Sequence, residues 1–440
     1  MKTINNIPTS KLSRASKLVT TGAKVGKNYL NYYKNKITTN ELEAREKLNE
    51  ANAEDIYDGL SNLKGSALKV AQMLSMEKSI LPQQYVDKFS LAQFSVPPLS
   101  PPLVNKTFKT YFGKLPSEIY DEFNPASVNA ASIGQVHKAK KDGKELAVKI
   151  QYPGVAESVS SDLKMVKPIA IRMFNLQGKD SDRYFKEVEN KLLEETNYIL
   201  EVEQSIEVSE KCKHIAHLKF PAYYPEISSD RIITMDWMHG QHLSEFSASN
   251  TDSGLANQIG QALWNFYMYQ IHVLRKVHAD PHPGNFLVSK EGDLIALDFG
   301  CMKQIPAGFY TPYFELIQPE NIHNPEIFNQ KMFELEILRK DDSPEELAFF
   351  SQLFYEMISL FSRPFTQDTF DFADDEFFKQ IYALGEKFGK SKEIKKFNGN
   401  RGSEHFIYMN RTFFGLYNLL HDIRANEIEI KKFLPEDILV

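Results

Sequence analysis

The sequence predicts an α+β protein in two lobes, and three observations carry that prediction. The chain has 440 residues, more than one ordinary domain holds. Strand-like segments gather between residues 133 and 237 and again at 286–297, whereas 305–440 read as mostly helical. Hydrophobic content of 42% with 25% charged residues is that of an ordinary globular chain, and no stretch reaches the roughly 18 apolar residues of a membrane-spanning helix.

The formal charge of −6 is unevenly placed. Lys2, Lys11, Arg14, Lys17, Lys24, Lys27, Lys34 and Lys36 face no acidic residue within 1–40, so the remainder of the chain carries −14. With Leu12, Ala15 and Val19 at helical spacing, this segment suits an anionic membrane surface or another polyanion, and a solvated tail is the competing reading. The acidic body carries no nucleic-acid motif, so no nucleic-acid partner is expected. Cys212 and Cys301 are the only cysteines, too few for a disulfide framework, and point to a reducing compartment. The expected location is cytoplasmic, extending to the inner face of the membrane.

Ile56, Leu60, Leu63, Ala67, Ala71 and Leu74 form a stripe that predicts a helix over 41–76, with Lys69 and Gln72 projecting away from it. The run VPPLSPP at 96–102 marks a linker. The expected organisation is therefore a basic segment 1–40, a helical extension 41–102, a first lobe 103–238 and a second lobe 239–440. Within the first lobe, 133–140 and 145–151 read as strands joined by Asp142-Gly143, a hairpin dipeptide. Residues 182–210 read as one helix, RIITMDW at 231–237 as a buried strand and 255–277 as a long helix.

The densest chemistry lies in HADPHPGNFLVSKEGDLIALDFG, residues 278–300. Asp280, Asn285 and Asp298 have the spacing of a phosphoryl-transfer site: a carboxylate beside the attacking hydroxyl, and an oxygen-rich pair that holds Mg²⁺ against a polyphosphate. Phe286-Leu287-Val288, a turn at 290–293 and a return strand at 294–297 form a hairpin that delivers Asn285 and Asp298 to one end. His278 and His282 are spaced like zinc ligands on a helix, but Pro281 and Pro283 forbid that helix, so their expected work is to hold the loop. Lys149 lies in an apolar strand, where a charge is costly without a purpose, and suits a grip on the α and β phosphates. Upstream of it, NAASIGQVH forms a turn of small residues around Gly134.

These motifs together resemble the UbiB-type (AarF-domain) atypical kinases of the protein-kinase-like superfamily. The resemblance rests on Lys69-Val70-Ala71-Gln72, on the alanine-rich turn from Ala130 to His137, on Lys149, on Glu195-Thr196-Asn197 within ETNYILE, and on ADPHPGN followed by DFG. Ala71 stands where the family has glycine, and Asn197 where it has aspartate. The resemblance implies a two-lobed protein-kinase-like fold with a mostly helical second lobe. It also implies a helical N-terminal extension packed over the active site, which brings Lys69 to the nucleotide. It implies ATP or ADP with Mg²⁺ as cofactors. The expected catalytic residues are Asp280, Lys149 and Lys69, and the metal ligands Asn285 and Asp298. The nucleotide contacts would come from Ala130, Ala131, Ser132, Ile133, Gly134, Gln135, Val136, Lys149 and Glu195, with Asp236, Trp237 and Met238 toward the adenine. Glu187, Glu189 and Glu195 are equally placed as partners of Lys149. The function implied is that of an ATP-binding kinase or ATPase supporting quinone or isoprenoid lipid biosynthesis at the membrane surface, with a lipid or quinone precursor as partner and protein partners left open. A small-molecule phosphotransferase and a nucleotide-binding pseudokinase scaffold are the alternatives. No Ala-Pro-Glu signature follows residue 301, so phosphorylation of proteins in trans is not expected.

Overall fold

The computed structural model describes residues 11–36, 40–63, 88, 98–130, 133–174, 179–389, 391, 393, 394, 397 and 401–434. The chain divides into two compact units, Met1–Val202 with Tyr223–Trp237, and Glu203–Ala222 with Met238–Val440. Each has its own apolar core and the architecture is kinase-like.

In the first unit, α1 (Lys11–Asn35) packs on α2 (Glu41–Leu63), with Asn28 donating to Asn52 and Asp55 and Thr21 lying where any side chain at Gly59 would sit. Residues 64–76 of the expected helix lie outside the described residues. Pro101 and Pro102, read as helix-stopping in the sequence, instead open α3 (Pro101–Phe112), because the first helical turn has no use for their missing N–H groups. A four-stranded antiparallel sheet follows in the order β1-β2-β3-β5: β1 (Glu122–Ala130), β2 (Gly134–Lys141), β3 (Lys144–Gln151) and β5 (Ile232–Asp236). Asp142 and Gly143 adopt φ of 50° and 77°, the pair of positive angles that a two-residue hairpin requires. The sequence reading missed β1. Its Pro125 and register shifts hide the alternation, and both are tolerated because β1 is a sheet edge.

Helices α4 (Val155–Phe174) and α5 (Lys179–Glu195) precede α6 (Tyr198–Cys212). The expected single helix over 182–210 is thus two. Asn197 ends the first by opening the second, its Oδ1 accepting the Leu200 N–H at 3.1 Å.

In the second unit, β4 (Leu218–Lys219), β9 (Leu294–Ala296), β8 (Phe286–Val288) and β6 (Gln241–His242) form a small sheet in that order. Next to β6 in sequence come α7 (Leu243–Ser249) and α8 (Ser253–Tyr269). The helix expected over 255–277 stops short: α8 passes into a π turn, Gln270–Leu274, and then into β7 (Lys276–His278), which pairs with β10 (Met302–Gln304). Helices dominate from residue 307, including α9 (Ala307–Leu316) and, in the described residues further on, α10 (Glu404–Asp422). The core here is aromatic and centred on Trp264, Phe299, Phe314 and Tyr417. Among the described residues no helix is long and apolar enough to cross a membrane.

Candidate active site

In the first unit Lys149 sits on β3 between Val148 and Ile150, both fully buried, and faces Ile233 of β5 in register. Its Nζ donates to Glu201 Oε1 at 2.6 Å, with the two side chains 11% and 5% exposed. The Tyr198 ring lies 5.1 Å from the same ammonium. A charge in an apolar strand therefore has a carboxylate and an aromatic face as surroundings, which is what makes its burial tolerable. The structure pairs Lys149 with Glu201, in the first turn of α6, a glutamate outside the three that the sequence singled out. The break at Thr196-Asn197 is the reason, since it sets α6 as a separate helix. Glu195 ends α5, is buried, and lies six residues before Glu201. The signal for Glu201 was present in ETNYILE, where Asn197 precedes a helical run as an N-cap residue. Glu189 pairs with Lys186, and a Ser160 hydroxyl, and then this pair, hold its carboxyl below the usual range.

The alanine-rich turn connects β1 to β2. Ala131 and Ser132 lie outside the described residues, as do Lys69 and Gln72. Ala130 closes β1, Ile133 is buried, and Val136 pairs with Lys149 across β2 and β3. Gly134 has no room for a side chain: a Cβ there would meet the Ile150 carbonyl oxygen at 2.5 Å and the Tyr198 hydroxyl at 2.9 Å. Glycine is thus required by the strand pairing itself. The Gln135 side chain is fully buried and is used structurally. Its Oε1 accepts the Leu99 N–H at 2.7 Å, and its Nε2 lies 2.7 Å from His137 Nε2. His137 Nδ1 lies 2.9 Å from the Asn124 carbonyl oxygen, so the ring donates there and accepts from Gln135. Burial lowers the His137 pKa, in keeping with that neutral form. Asp236 ends β5 and accepts the Tyr224 hydroxyl at 2.6 Å. Met238 is half-buried and begins the next stretch of the second unit.

In the second unit the hairpin forms as the spacing requires. Phe286 pairs with Ala296, and the Leu297 N–H donates to the Asn285 carbonyl at 3.0 Å, which sets Asn285 and Asp298 at the same end. Asp298 Oδ1 accepts the Gly300 N–H at 2.9 Å, and Asn285 Nδ2 donates to the Asp280 carbonyl at 3.0 Å. Asp280, Asn285 and Asp298 are all partly exposed to solvent. His282 holds the loop by accepting the Gly284 N–H at 3.1 Å, and His278 is buried beside Phe299 with 6.0 Å between ring centroids. No cluster of three or more His, Cys, Asp or Glu suited to a metal occurs among the described residues. The donor set is that of an ion held by one carboxylate, one amide oxygen and substrate phosphates, which suits Mg²⁺ rather than zinc. Sequence reasoning also passed over Gly415, whose missing side chain lets α10 pack directly on Pro281 of the loop.

The first unit thus carries a strand lysine ion-paired to a helix glutamate, and the second a loop aspartate with a hairpin asparagine–aspartate pair, the residue types that kinase-like phosphotransferases use. The ABC1 atypical kinase-like domain matches residues 91–324, more than half of the chain, and the chain belongs to that family. An aarF domain-containing protein kinase of Arabidopsis thaliana, named as chloroplastic, is 29% identical over 286 residues, covering 64% of this chain and 40% of the relative. AarF domain-containing protein kinase 1 of Gallus gallus is 28% identical over 260 residues, 58% of this chain and 50% of the relative. A probable serine/threonine-protein kinase of Dictyostelium discoideum is 27% identical over 284 residues, 61% and 50%. The chain thus spans 40–50% of the length of these relatives. Among solved structures, Rv3197 of Mycobacterium tuberculosis, in complex with erythromycin, is similar with a TM-score of 0.59 and 24% identity, covering 90% of this chain and 99% of that one, a likeness of fold.

Proposed function

We propose that the chain binds ATP with Mg²⁺ and turns it over as an atypical kinase or ATPase. The observation that carries this is the buried 2.6 Å pair between Lys149 and Glu201, because an ion pair so placed is costly unless the ammonium has an anionic ligand to serve. In this reading Lys149 grips the α and β phosphates, with Glu201 fixing its direction. Asn285 and Asp298 hold Mg²⁺, which neutralises charge on the phosphates. Asp280 accepts the proton of the attacking hydroxyl or water, and the bond from the Asn285 amide to its backbone carbonyl supports that role by tying it to a proposed metal ligand. Lys69, as the resemblance implies, restrains the site from the N-terminal extension.

The resemblance to UbiB-type kinases extends the reading to quinone or isoprenoid lipid biosynthesis at a membrane surface within the cytoplasm. On α1, Val19, Leu30 and Tyr33 are 72%, 66% and 63% exposed among Lys24, Lys27 and Lys34, a composition that favours an anionic lipid surface. The test is ATP hydrolysis by the purified full-length protein, with and without Mg²⁺, anionic liposomes and a quinone-precursor mimic. Hydrolysis that needs Mg²⁺ and rises with anionic liposomes supports the whole reading. Hydrolysis indifferent to liposomes removes its membrane part, and absence of both nucleotide binding and hydrolysis removes it altogether.

A further inference from the structure

The passage from α8 into β7 is built unlike the other helix ends among the described residues of the second unit. Helix α8 widens into the π turn Gln270–Leu274, and the turn closes on Arg275 at a left-handed φ of 53°, whose N–H returns to the Gln270 carbonyl. Single π turns place one extra residue in a helix and redirect the side chains that follow. Here the residue at the head of the turn is Gln270, which is fully buried. Its Oε1 accepts the backbone N–H of His278 at 2.9 Å, and its Nε2 donates to the Phe266 carbonyl at 3.1 Å.

His278 is two residues before Asp280, on the strand that leads into the loop. Alternate N–H groups of an antiparallel strand point to opposite sides. The Ala279 N–H donates to the Cys301 carbonyl at 2.9 Å on the β10 side, so the His278 N–H points away from that partner and Gln270 takes it. Two further contacts hold the same strand from outside its pairing. Lys276 Nζ donates to Glu207 at 2.8 Å, and the Tyr267 hydroxyl lies 3.5 Å from His278 Nδ1. Burial, and then the charge of Asp280, raise the Tyr267 pKa well above its ordinary value, which places that carboxylate within electrostatic reach of this cluster.

We propose that Gln270 is a positioning residue for Asp280: from the head of the π turn its amide holds the His278 N–H and so fixes where β7 releases the loop. The assignment rests on Asp280 acting beside the attacking group. It adds a residue that makes no contact with the reacting atoms and yet sets their geometry.

The test uses the full-length protein with Gln270→Met, Gln270→Glu and Asp280→Asn. Methionine keeps the volume and leaves the His278 N–H without its acceptor. Turnover of Mg²⁺-ATP should fall roughly 10- to 100-fold, the scale of a small misplacement of a catalytic group, with nucleotide affinity unchanged. In Gln270→Glu the buried carboxyl should take up a proton, and a protonated carboxyl reproduces both hydrogen bonds. Its turnover should approach the parent at low pH and fall as pH rises, through an ionisation absent from parent and Gln270→Met. Arg275, Lys276, Glu207, Tyr267, Tyr269, His272, His278, Asp280, Cys301, Lys303 and Tyr310 are the charged and titratable groups of the surrounding described elements and are common to both variants, so the new ionisation belongs to the introduced carboxyl. Amide hydrogen exchange gives a readout independent of activity: residues 276–285 should lose protection in Gln270→Met while 255–266 keep theirs. Parental protection at 276–285, or parental turnover in Gln270→Met, overturns the assignment. Parental turnover in Asp280→Asn overturns the role of Asp280 instead, and the exchange measurement still decides what Gln270 holds.

Discussion

The two units hold their candidate site residues by different means. In the first, Lys149 and Glu201 lie 52 residues apart in sequence and meet only because β3 and α6 pack together, with both side chains withdrawn from water. In the second, Asp280, Asn285 and Asp298 fall within nineteen consecutive residues, are half-exposed, and are held mainly by backbone: a hairpin register, a carbonyl and a glycine N–H. The first arrangement makes the site part of the core. The second leaves it on the surface of a scaffold that would stand without it.

The sharpest way to break this comparison is to remove one buried and one solvent-facing carboxylate of the first unit and measure stability. Glu201→Ala leaves a buried ammonium without its partner and should cost about 3–5 kcal/mol in urea unfolding. Glu189→Ala removes a carboxylate whose partner Lys186 is 66% exposed, and should cost within about 1 kcal/mol. Equal losses would mean that the Lys149 pair adds nothing to the core.

Asp298→Asn should do the reverse, with little change in the unliganded melting temperature and loss of most of the response to Mg²⁺-ATP. For the parent that response is about 2.7 kcal/mol at 100 times the dissociation constant. Asp280→Asn should keep the response and lose turnover by roughly 10²-fold. A thermal-shift titration of both variants separates the two carboxylates, and identical behaviour would erase the distinction between metal ligand and base.

The same difference explains what could be read in advance. The hairpin, its turn and the common end of Asn285 and Asp298 follow from spacing within one local segment, so sequence sufficed. Lys149 was legible as a misfit, a charge among Ala147, Val148 and Ile150. Its partner was not, because the choice among glutamates depends on how two helices divide, and Thr196-Asn197 was read as part of one helix. Edge strand β1 was hidden by Pro125, and the π turn by an unbroken apolar pattern that continues from α8 into β7. Gln135 appeared in a loop motif and belongs to the core, since period-two burial on β2 turns its side chain inward.

A milder perturbation acts on one buried histidine in each unit. His137 is held neutral by burial, and His272, 2.7 Å from the Tyr310 hydroxyl, is pushed down to about 3 by burial and by the charge of Arg275. Both folded-state values lie below the unfolded value of about 6.5, so the unfolded chain binds more protons below that pH. Stability from these groups is complete above about pH 6.5 and is lost as pH falls, for His272 down to about pH 3, by at most about 1.4 kcal/mol per pH unit per histidine. Urea unfolding between pH 7.5 and pH 5 measures the slope, and His272→Gln should make it shallower. An unchanged slope would show that the second unit does not bury a neutral imidazole there.

The smallest effect concerns Asn197, and it bears on whether the first unit uses this position for structure or for chemistry. The aspartate that the family resemblance would place here carries a charge suited to hold a lysine or a metal. In this chain the Asn197 side chain accepts the Leu200 N–H at 3.1 Å, and its carbonyl accepts the Glu201 N–H at 3.0 Å, so it opens the helix whose first turn carries Glu201. Asparagine and aspartate cap comparably, and an aspartate adds a favourable charge at the positive end of the helix. Asn197→Asp should therefore raise stability by about 0.3–1 kcal/mol, and Asn197→Ala should lower it by about 1 kcal/mol. If capping is the whole role, Asn197→Asp leaves Mg²⁺-dependent nucleotide affinity unchanged. A tighter or newly Mg²⁺-dependent affinity in Asn197→Asp would instead show that the position reaches the bound ion or the nucleotide. In that case the first unit, like the second, would place a functional residue in reach of solvent rather than confining its chemistry to the buried pair.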